Sequence, residues 1–406
     1  MTVSEVAWIG VDVGKVSHHV TAIDAEGAVL WSGQVVNDQA AIEKVIQKTA
    51  RLARYTRWAV DLTSSEAALL LALLVSTGQQ VVYVPGRVVH RMTGAFGGEG
   101  KTDARDAKVI AETARMRRDL TEITTPDELV VELSLLTGHR ADLMAEWVRG
   151  VNRLRDLLTR VFPALERALD YTTRIALILV TEYCTPSSIR QAGEQGLSEH
   201  LRVQRAHRAS IPATVGKALA AAAAQTVALP GESTTAVLVS GLAARLLELD
   251  REIKDLDKLL ANRFRAHPQA KIIESMPGMG PTLGAEFLAI TGGDLAAFGT
   301  PARLATYAGL APVPNDSGRR TGVLHRPQRY HRRLRHVFYM AAFSSLHRDG
   351  PSREFYQRKR SERQRHAKAM IALARRLVDV LWALLRDNRL WEPIPPARTN
   401  ATGHGH

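Results

Sequence analysis

The chain has 406 residues, 45% hydrophobic and 23% charged, which is enough for two or three domains with buried cores and excludes wholesale disorder. Its single cysteine, Cys184, excludes an internal disulfide and a cysteine-based zinc site and reads as a small core side chain in a reducing compartment. The longest apolar stretches, Ala67 to Val75 and Ala218 to Ala224, fall short of the ~20 residues of a bilayer span, and MTVSEVAWIG has no secretory pattern, so the expectation is a soluble, cytoplasmic protein. Charge is more telling. Lys and Arg number 54 against 41 Asp and Glu, a net of +13. Between Arg319 and Arg376 stand 17 Lys and Arg but only 3 Asp and Glu, so that segment carries +14 and the rest of the chain is nearly neutral. Localised positive charge favours a polyanion, whose condensed counterions are released on binding.

The first hundred residues predict strands followed by alternating helices and strands. VAWIGVDVG (Val6 to Gly14), HHVTAID and AVLWSGQVV form a three-strand meander. A helix over Gln39 to Ala53, a strand at RWAVDL, a helix over Ser65 to Ser76 with Ser64 as N-cap, and a strand at QVVYVP complete a βββαβαβ order. The Gly-rich loop GAFGGEGKT (Gly94 to Thr102) then opens a helix from Asp103 to about Arg117.

Helical spacing runs from Glu128 to about Asp170 and again from Ala236 to Phe264, where Leu246, Leu249, Ile253, Leu256 and Leu260 step by 3, 4, 3 and 4. That seam serves either packing within the chain or self-association. Residues 185 to 230 are Ala-, Ser- and Gln-rich and carry no functional signal. From Pro268 a new unit begins. SMPGMGPTLGAEFLAITGG (Ser275 to Gly293) reads as helix, glycine hairpin, helix, GLAPVPNDSGRRTG as a loop, and helices resume near His331. The domains expected are 1–125, 126–266 and 267–390, with 391–406 a tail.

Asp12 lies in a buried-looking strand, where an ionised carboxylate is costly unless paired or bound to a cation. Asp61 ends the fourth strand, and Asp103 and Asp106 share one face at a helix start. Clustered carboxylates raise one another's pKa, whereas Mg²⁺ ions would neutralise them and serve phosphodiester chemistry. Ser317 lies in a polar, Gly-bearing loop beside Arg319 and Arg320, whose guanidinium groups could hold a phosphate. In PGMG, the amides of Gly278 and Gly280 could approach a phosphate backbone. Arg326, Arg329, Arg332, Arg333 and Arg335 complete the nucleic-acid-binding set. His325, His331, His336, His347 and His366 follow no metal-ligand motif.

The strand and helix order with these acids resembles the ribonuclease-H-like fold of RuvC-type junction resolvases. GVDVGK, TDARDAKVIAE, MPGMGPTLGAEFLA, FGTPARLATYAGLAPVPNDSG and LRHVFYMAA, in this order, resemble the DEDD transposases of insertion elements, relatives of the Piv DNA invertase. The resemblance implies an N-terminal RuvC-like α/β domain, a helical and coiled-coil middle, and a mostly helical C-terminal domain with a helix-hairpin-helix-like motif. It implies a recombinase acting on donor and target DNA, with Mg²⁺ held by Asp12, Asp61, Asp103 and Asp106 and Ser317 as nucleophile. A structured bridge RNA as guide, a homodimer or homotetramer, no membrane contact and association with the nucleoid are further implications. The sequence departs from the family in two places: the second acid is Asp61 in VDLTSSE, with Glu66 as a substitute, and VLHRPQRYHRRLRH follows the serine. A metal-dependent nuclease or Holliday-junction resolvase using water as nucleophile is the alternative.

Overall fold

The structure, a computed structural model, describes residues 4–61, 65–93, 102–123, 127–314, 324–325 and 327–392. The chain divides into two compact units, Met1–Pro126 and Asp127–His406.

In the first unit β1 (Ser4–Asp12), β2 (Ser17–Ile23) and β3 (Val29–Val36) form an antiparallel meander, because their links are too short for a crossover. Helix α1 (Gln39–Thr49) starts at Asp38, whose side chain accepts the Ala41 N–H at 2.8 Å, and it buries Ile42, Val45 and Ile46. It returns the chain so that β4 (Ala53–Val60) lies parallel to β1. A 3₁₀ turn (Ser65–Ala67) and α2 (Ala68–Ser76) lead to β5 (Gln80–Tyr83), parallel to β4. The expected cap Ser64 lies outside the described residues, as do residues 94–101 of the Gly-rich loop. Two short elements join the predicted order, α3 (Gly86–Thr93) and, after α4 (Asp103–Met116), β6 (Thr121–Glu122) on the edge of β5. A two-residue strand has no sequence pattern and exists only through its pairing.

The sheet order is β3-β2-β1-β4-β5-β6. One face packs Ile9, Val11, Val20, Trp58 and Val60 against α1 and α2; the other packs Ala59 and Val82 against α3 and α4 through Val89, Val109 and Ile110. Helix α4 crosses β1 very closely at Gly10, where a Cβ would overlap the Ala107 carbonyl oxygen. A glycine is required there.

The second unit is mostly helical. Asp127 caps α5 (Glu128–Val161) by accepting the Leu129 N–H at 2.9 Å. The sequence predicts one helix to about Asp170, but the helix stops at Phe162 because Pro163 has no N–H and instead opens α6 (Pro163–Ala168). Helices α7 (Arg174–Val180), α8 (Pro186–Val203) and α9 (Ile211–Ala223) build a core with the end of α5 and the start of α10 (Glu232–Ala266), so residues 185–230 are structural. Cys184 belongs to that core.

Helices α5 and α10 run antiparallel, as the ion pairs Glu132–Arg263, Arg140–Asp257 and Glu146–Arg245 record. Leu246, Leu249, Ile253 and Leu260 of the predicted seam are buried, and Leu249 and Ile253 meet Leu143, Met144 and Trp147 of α5. Packing within the chain therefore occupies this stripe. A second core joins α11 (Ala270–Ser275), α12 (Pro281–Thr291), α13 (Pro301–Tyr307), α14 (Arg332–Ser345), α15 (Pro351–Ser361) and α16 (His366–Arg386), with Phe287 and Phe338 edge to face at 6.0 Å. Between α13 and α14, β7 (Val313–Pro314) pairs with β8 (Leu324–His325). Among the described residues no helix is long and apolar enough to cross a membrane.

Candidate functional site

Pairing and pleat together place two acids. The parallel register matches Val11 with Val60, so Asp12 and Asp61 follow at the carboxyl ends of adjacent strands. Ile9, Val11, Trp58 and Val60 occupy the α1/α2 face, and by the two-residue alternation Asp12 and Asp61 fall on the α4 face. Connections leave β1 and β4 toward opposite edges of the sheet, and a crevice at the carboxyl ends of such strands is where open α/β sheets bind ligands.

Helix α4 supplies the other two acids. Thr102 caps it by accepting the Arg105 N–H at 3.3 Å, and Thr21 of β2 donates to the Ala104 carbonyl at 3.4 Å, which ties the first turn to the sheet. Asp103 and Asp106 lie in that turn, Asp103 exposed and Asp106 half-buried. Burial pushes the Asp61 carboxyl above its ordinary value. Its own backbone N–H and that of Val13 act against this, and the negative charge of Asp106 adds to it. Asp61 Oδ1 is buried without a hydrogen-bond partner among the described residues.

The structure thus brings Asp61 and Asp106 within electrostatic reach and sets Asp12 at the neighbouring strand end. Among the described residues, no three His, Cys, Asp or Glu side chains stand close enough together to grip a metal ion. In chemistry the donors suit a hard divalent cation, being all carboxylate oxygen, with one buried oxygen that nothing else satisfies. Glu66 stands in the 3₁₀ turn before α2, where its carbonyl receives the Asn37 side-chain amide at 3.4 Å.

A buried histidine escaped the sequence reading. His18 is 1% exposed, and burial holds its pKa below the usual value, with the neighbouring Asn37 side chain acting against this. The adjacent pair His18 and His19 gives no signal of which one points inward; the register decides, sending His19 outward to Ser32 Oγ at 2.9 Å. His18 shares the face of Val20 and Ala22, opposite the acids.

In the second unit, Ser317, Arg319, Arg320 and Arg326 lie outside the described residues. The segments flanking residues 315–323 are hydrogen-bonded as β7 and β8. Arg329 and Arg332 are exposed, whereas Arg333 is committed to Glu286 at 2.8 Å and Arg335 stacks over Tyr330 at 5.0 Å. The two hairpin glycines differ. Gly278, at φ +83°, faces α14 so closely that a Cβ would overlap the Ala341 carbonyl oxygen, and this packing accounts for it. Gly280 is exposed, and a Cβ there would meet nothing within 4 Å.

An α/β domain with acids at its central strand ends, in one chain with a helical unit holding a strongly basic segment, defines a class of acid-site proteins suited to polyanionic substrates. Comparison with known proteins sharpens this. Residues 9–163 match the DEDD transposase profile of IS110 type, and residues 270–357 match the transposase IS116/IS110/IS902 family. The chain is 54% identical to the insertion element IS116 44.8 kDa protein of Streptomyces clavuligerus, over 97% of this chain and 98% of that one. It is 47% identical to the insertion element IS900 42 kDa protein of Mycobacterium paratuberculosis, over 95% and 97%. With the mini-circle putative transposase for IS117 of Streptomyces coelicolor it shares 26% identity over 94% of each. The chain belongs to the IS116/IS110/IS902 family of insertion-element transposases.

Proposed function

We propose that this protein is a DNA recombinase that cuts and rejoins strands at the ends of a mobile element, with Ser317 as nucleophile and Mg²⁺ held by Asp12, Asp61, Asp103 and Asp106. The observation that carries this reading is the placement of Asp12 and Asp61 at the carboxyl ends of adjacent parallel strands, with Asp106 within charge reach of the partnerless Asp61 oxygen. Asp61, not Glu66, is the second acid on this reading, because it stands at a strand end and feels Asp106.

Mg²⁺ bound there would offset the negative charge of the acids and of the scissile phosphate. The protein's own groups do the rest. The Ser317 hydroxyl loses its proton as its oxygen bonds to phosphorus, the bond from phosphorus to the departing strand oxygen breaks, and that oxygen takes up a proton as a free hydroxyl. The resulting ester conserves the bond energy, so a strand hydroxyl can reverse the step and rejoin DNA without ATP. Arg319 and Arg320 would hold the phosphate and stabilise its transition-state charge. The +14 segment supports donor DNA, target DNA and a structured guide RNA as polyanionic partners of a dimer or tetramer, and Gly280 amides at the α11–α12 hairpin would meet a backbone phosphate.

Ser317→Ala should abolish strand exchange, and Asp12→Asn should do the same, with DNA affinity kept in both. Denaturing the protein on cleaved DNA should trap a covalent adduct that Ser317→Ala lacks. Unchanged recombination by that variant removes the serine from the mechanism, and cleavage without an adduct assigns the nucleophile to water.

A further inference from the structure

The second unit contains a groove that the acid site does not use. Two adjoining cavities, of about 770 and about 470 Å³, share a wall formed by Pro277, Pro351, Ser352 and Trp391. Each falls within the roughly 300–1,000 Å³ usual for small-ligand sites, large enough for a base with its sugar. The backbone N–H of Trp391 donates to Ser275 Oγ at 2.9 Å, which anchors this residue at the shared wall, where its half-buried side chain packs on the helical core.

The charges around the groove are sorted. Glu274, Asp349 and Asp379 line it and are each paired with an arginine, Arg265, Arg353 and Arg375 respectively, while Glu392 lines the smaller cavity, exposed and without an ion pair among the described residues. Arg348 lines the larger cavity, exposed and without an ion pair among the described residues. Arg376, exposed over the Phe355 ring at 5.2 Å, lines the smaller one together with Arg389, which is paired with Asp387 at 3.6 Å. The starts of α12 and α15, neither closed by a side-chain cap, also border the larger cavity and add to its positive character.

We infer that this groove binds an unpaired nucleic-acid strand, with a base stacked on Trp391 and phosphates beside Arg348 and Arg376. An aromatic side chain flanked by cations is how sequence-tolerant single-strand sites work, since every base has a face to stack. A duplex cannot use it, because its base faces are already stacked on one another. The inference deepens the strand-exchange reading, which requires unpaired strand near the protein, but binding can be measured without any chemistry at the acids.

The test is fluorescence anisotropy of labelled oligo-dT, oligo-U and a blunt DNA duplex with the full-length protein. Trp391→Ala should weaken single-strand binding on the order of tenfold, Trp391→Phe should keep most of it, and duplex affinity should not change. Arg348→Ala and Arg376→Ala, at exposed positions without an ion pair among the described residues, should each weaken it and lower the slope of log affinity against log salt by about 1. Weakening confined to oligo-U assigns the groove to RNA, and weakening confined to oligo-dT assigns it to DNA. Wild-type binding by Trp391→Ala, or an equal loss on the duplex, overturns the inference. If Trp391→Ala does not fold, unchanged binding by both arginine variants overturns it as well. Displacement of oligo-dT from neither cavity by a peptide of residues 393–406 is expected; a groove that takes this peptide and no oligonucleotide belongs to the chain's own tail, which also overturns it. Loss of strand exchange in Asp12→Asn with Trp391-dependent binding intact separates this inference from the recombinase reading.

Discussion

Asp61 shows at a single residue how a reactive arrangement costs stability. Burial and the nearby Asp106 charge both disfavour its ionised form, so the folded protein holds the Asp61 proton more tightly than the unfolded chain does. Ionising the group therefore costs folding energy. That cost is absent below the ordinary carboxylate pKa of 3.8 and complete once pH exceeds the raised folded value. Asp61→Asn should accordingly melt at a higher temperature than the native protein at neutral pH in chelating buffer, with the gap closing as pH falls toward 3.8. A variant that melts lower at neutral pH would show that Asp61 is stabilised as an anion. Asp12 was visible in the sequence as a carboxylate inside an apolar run, but its partnership with Asp61 was not, since it depends on a register between strands about fifty residues apart. His18 was invisible for the same reason: two adjacent histidines look alike until β3 pairs with β2.

At the level of elements, close backbone approach explains what composition leaves open. PGMG was legible as a turn between helices, yet the sequence could not tell which glycine serves packing. Gly278 has both a positive φ and the α14 backbone against it, while Gly280 has open space. Gly278→Ala should lower stability by about 2–4 kcal/mol in denaturant titration, and Gly280→Ala should change it by less than about 1 kcal/mol. Equal effects would mean that the turn relaxes to admit a side chain. The leucine seam of α10 teaches the complementary lesson. Its spacing of threes and fours announced a helix partner, and the partner is α5 of the same chain, chosen by the antiparallel ion pairs at Arg140, Glu146 and Glu132. Pro163, in turn, was a readable stop inside a periodic stretch that the helical spacing overran.

For the whole molecule, the charge distribution sets the terms on which it meets its partners. A +13 chain whose excess lies in one segment should bind nucleic acid with strong salt dependence. Arg329 and Arg332, exposed within that segment, are the test: replacing both with Ala should lower the slope of log affinity against log salt by roughly 2 and weaken binding uniformly across sequences. Arg333→Ala should leave the slope almost unchanged, because its charge is spent on Glu286. Sequence-dependent loss at Arg329 or Arg332 would assign them to base edges instead.

Residue order alone determined the succession of strands and helices in the first unit apart from α3 and β6, the helical character of the remainder, the concentration of positive charge and the family, because period, turn chemistry and charge are local properties of the chain. Only the tertiary structure decided that Asp61 and Asp106 feel each other, that Gly10 and Gly278 serve helix contacts, that the α10 seam is satisfied by α5, and that Trp391 stands where two cavities meet. Each of these depends on a register or a packing contact between residues distant in sequence, and no local pattern encodes the distance between side chains that chain folding brings together.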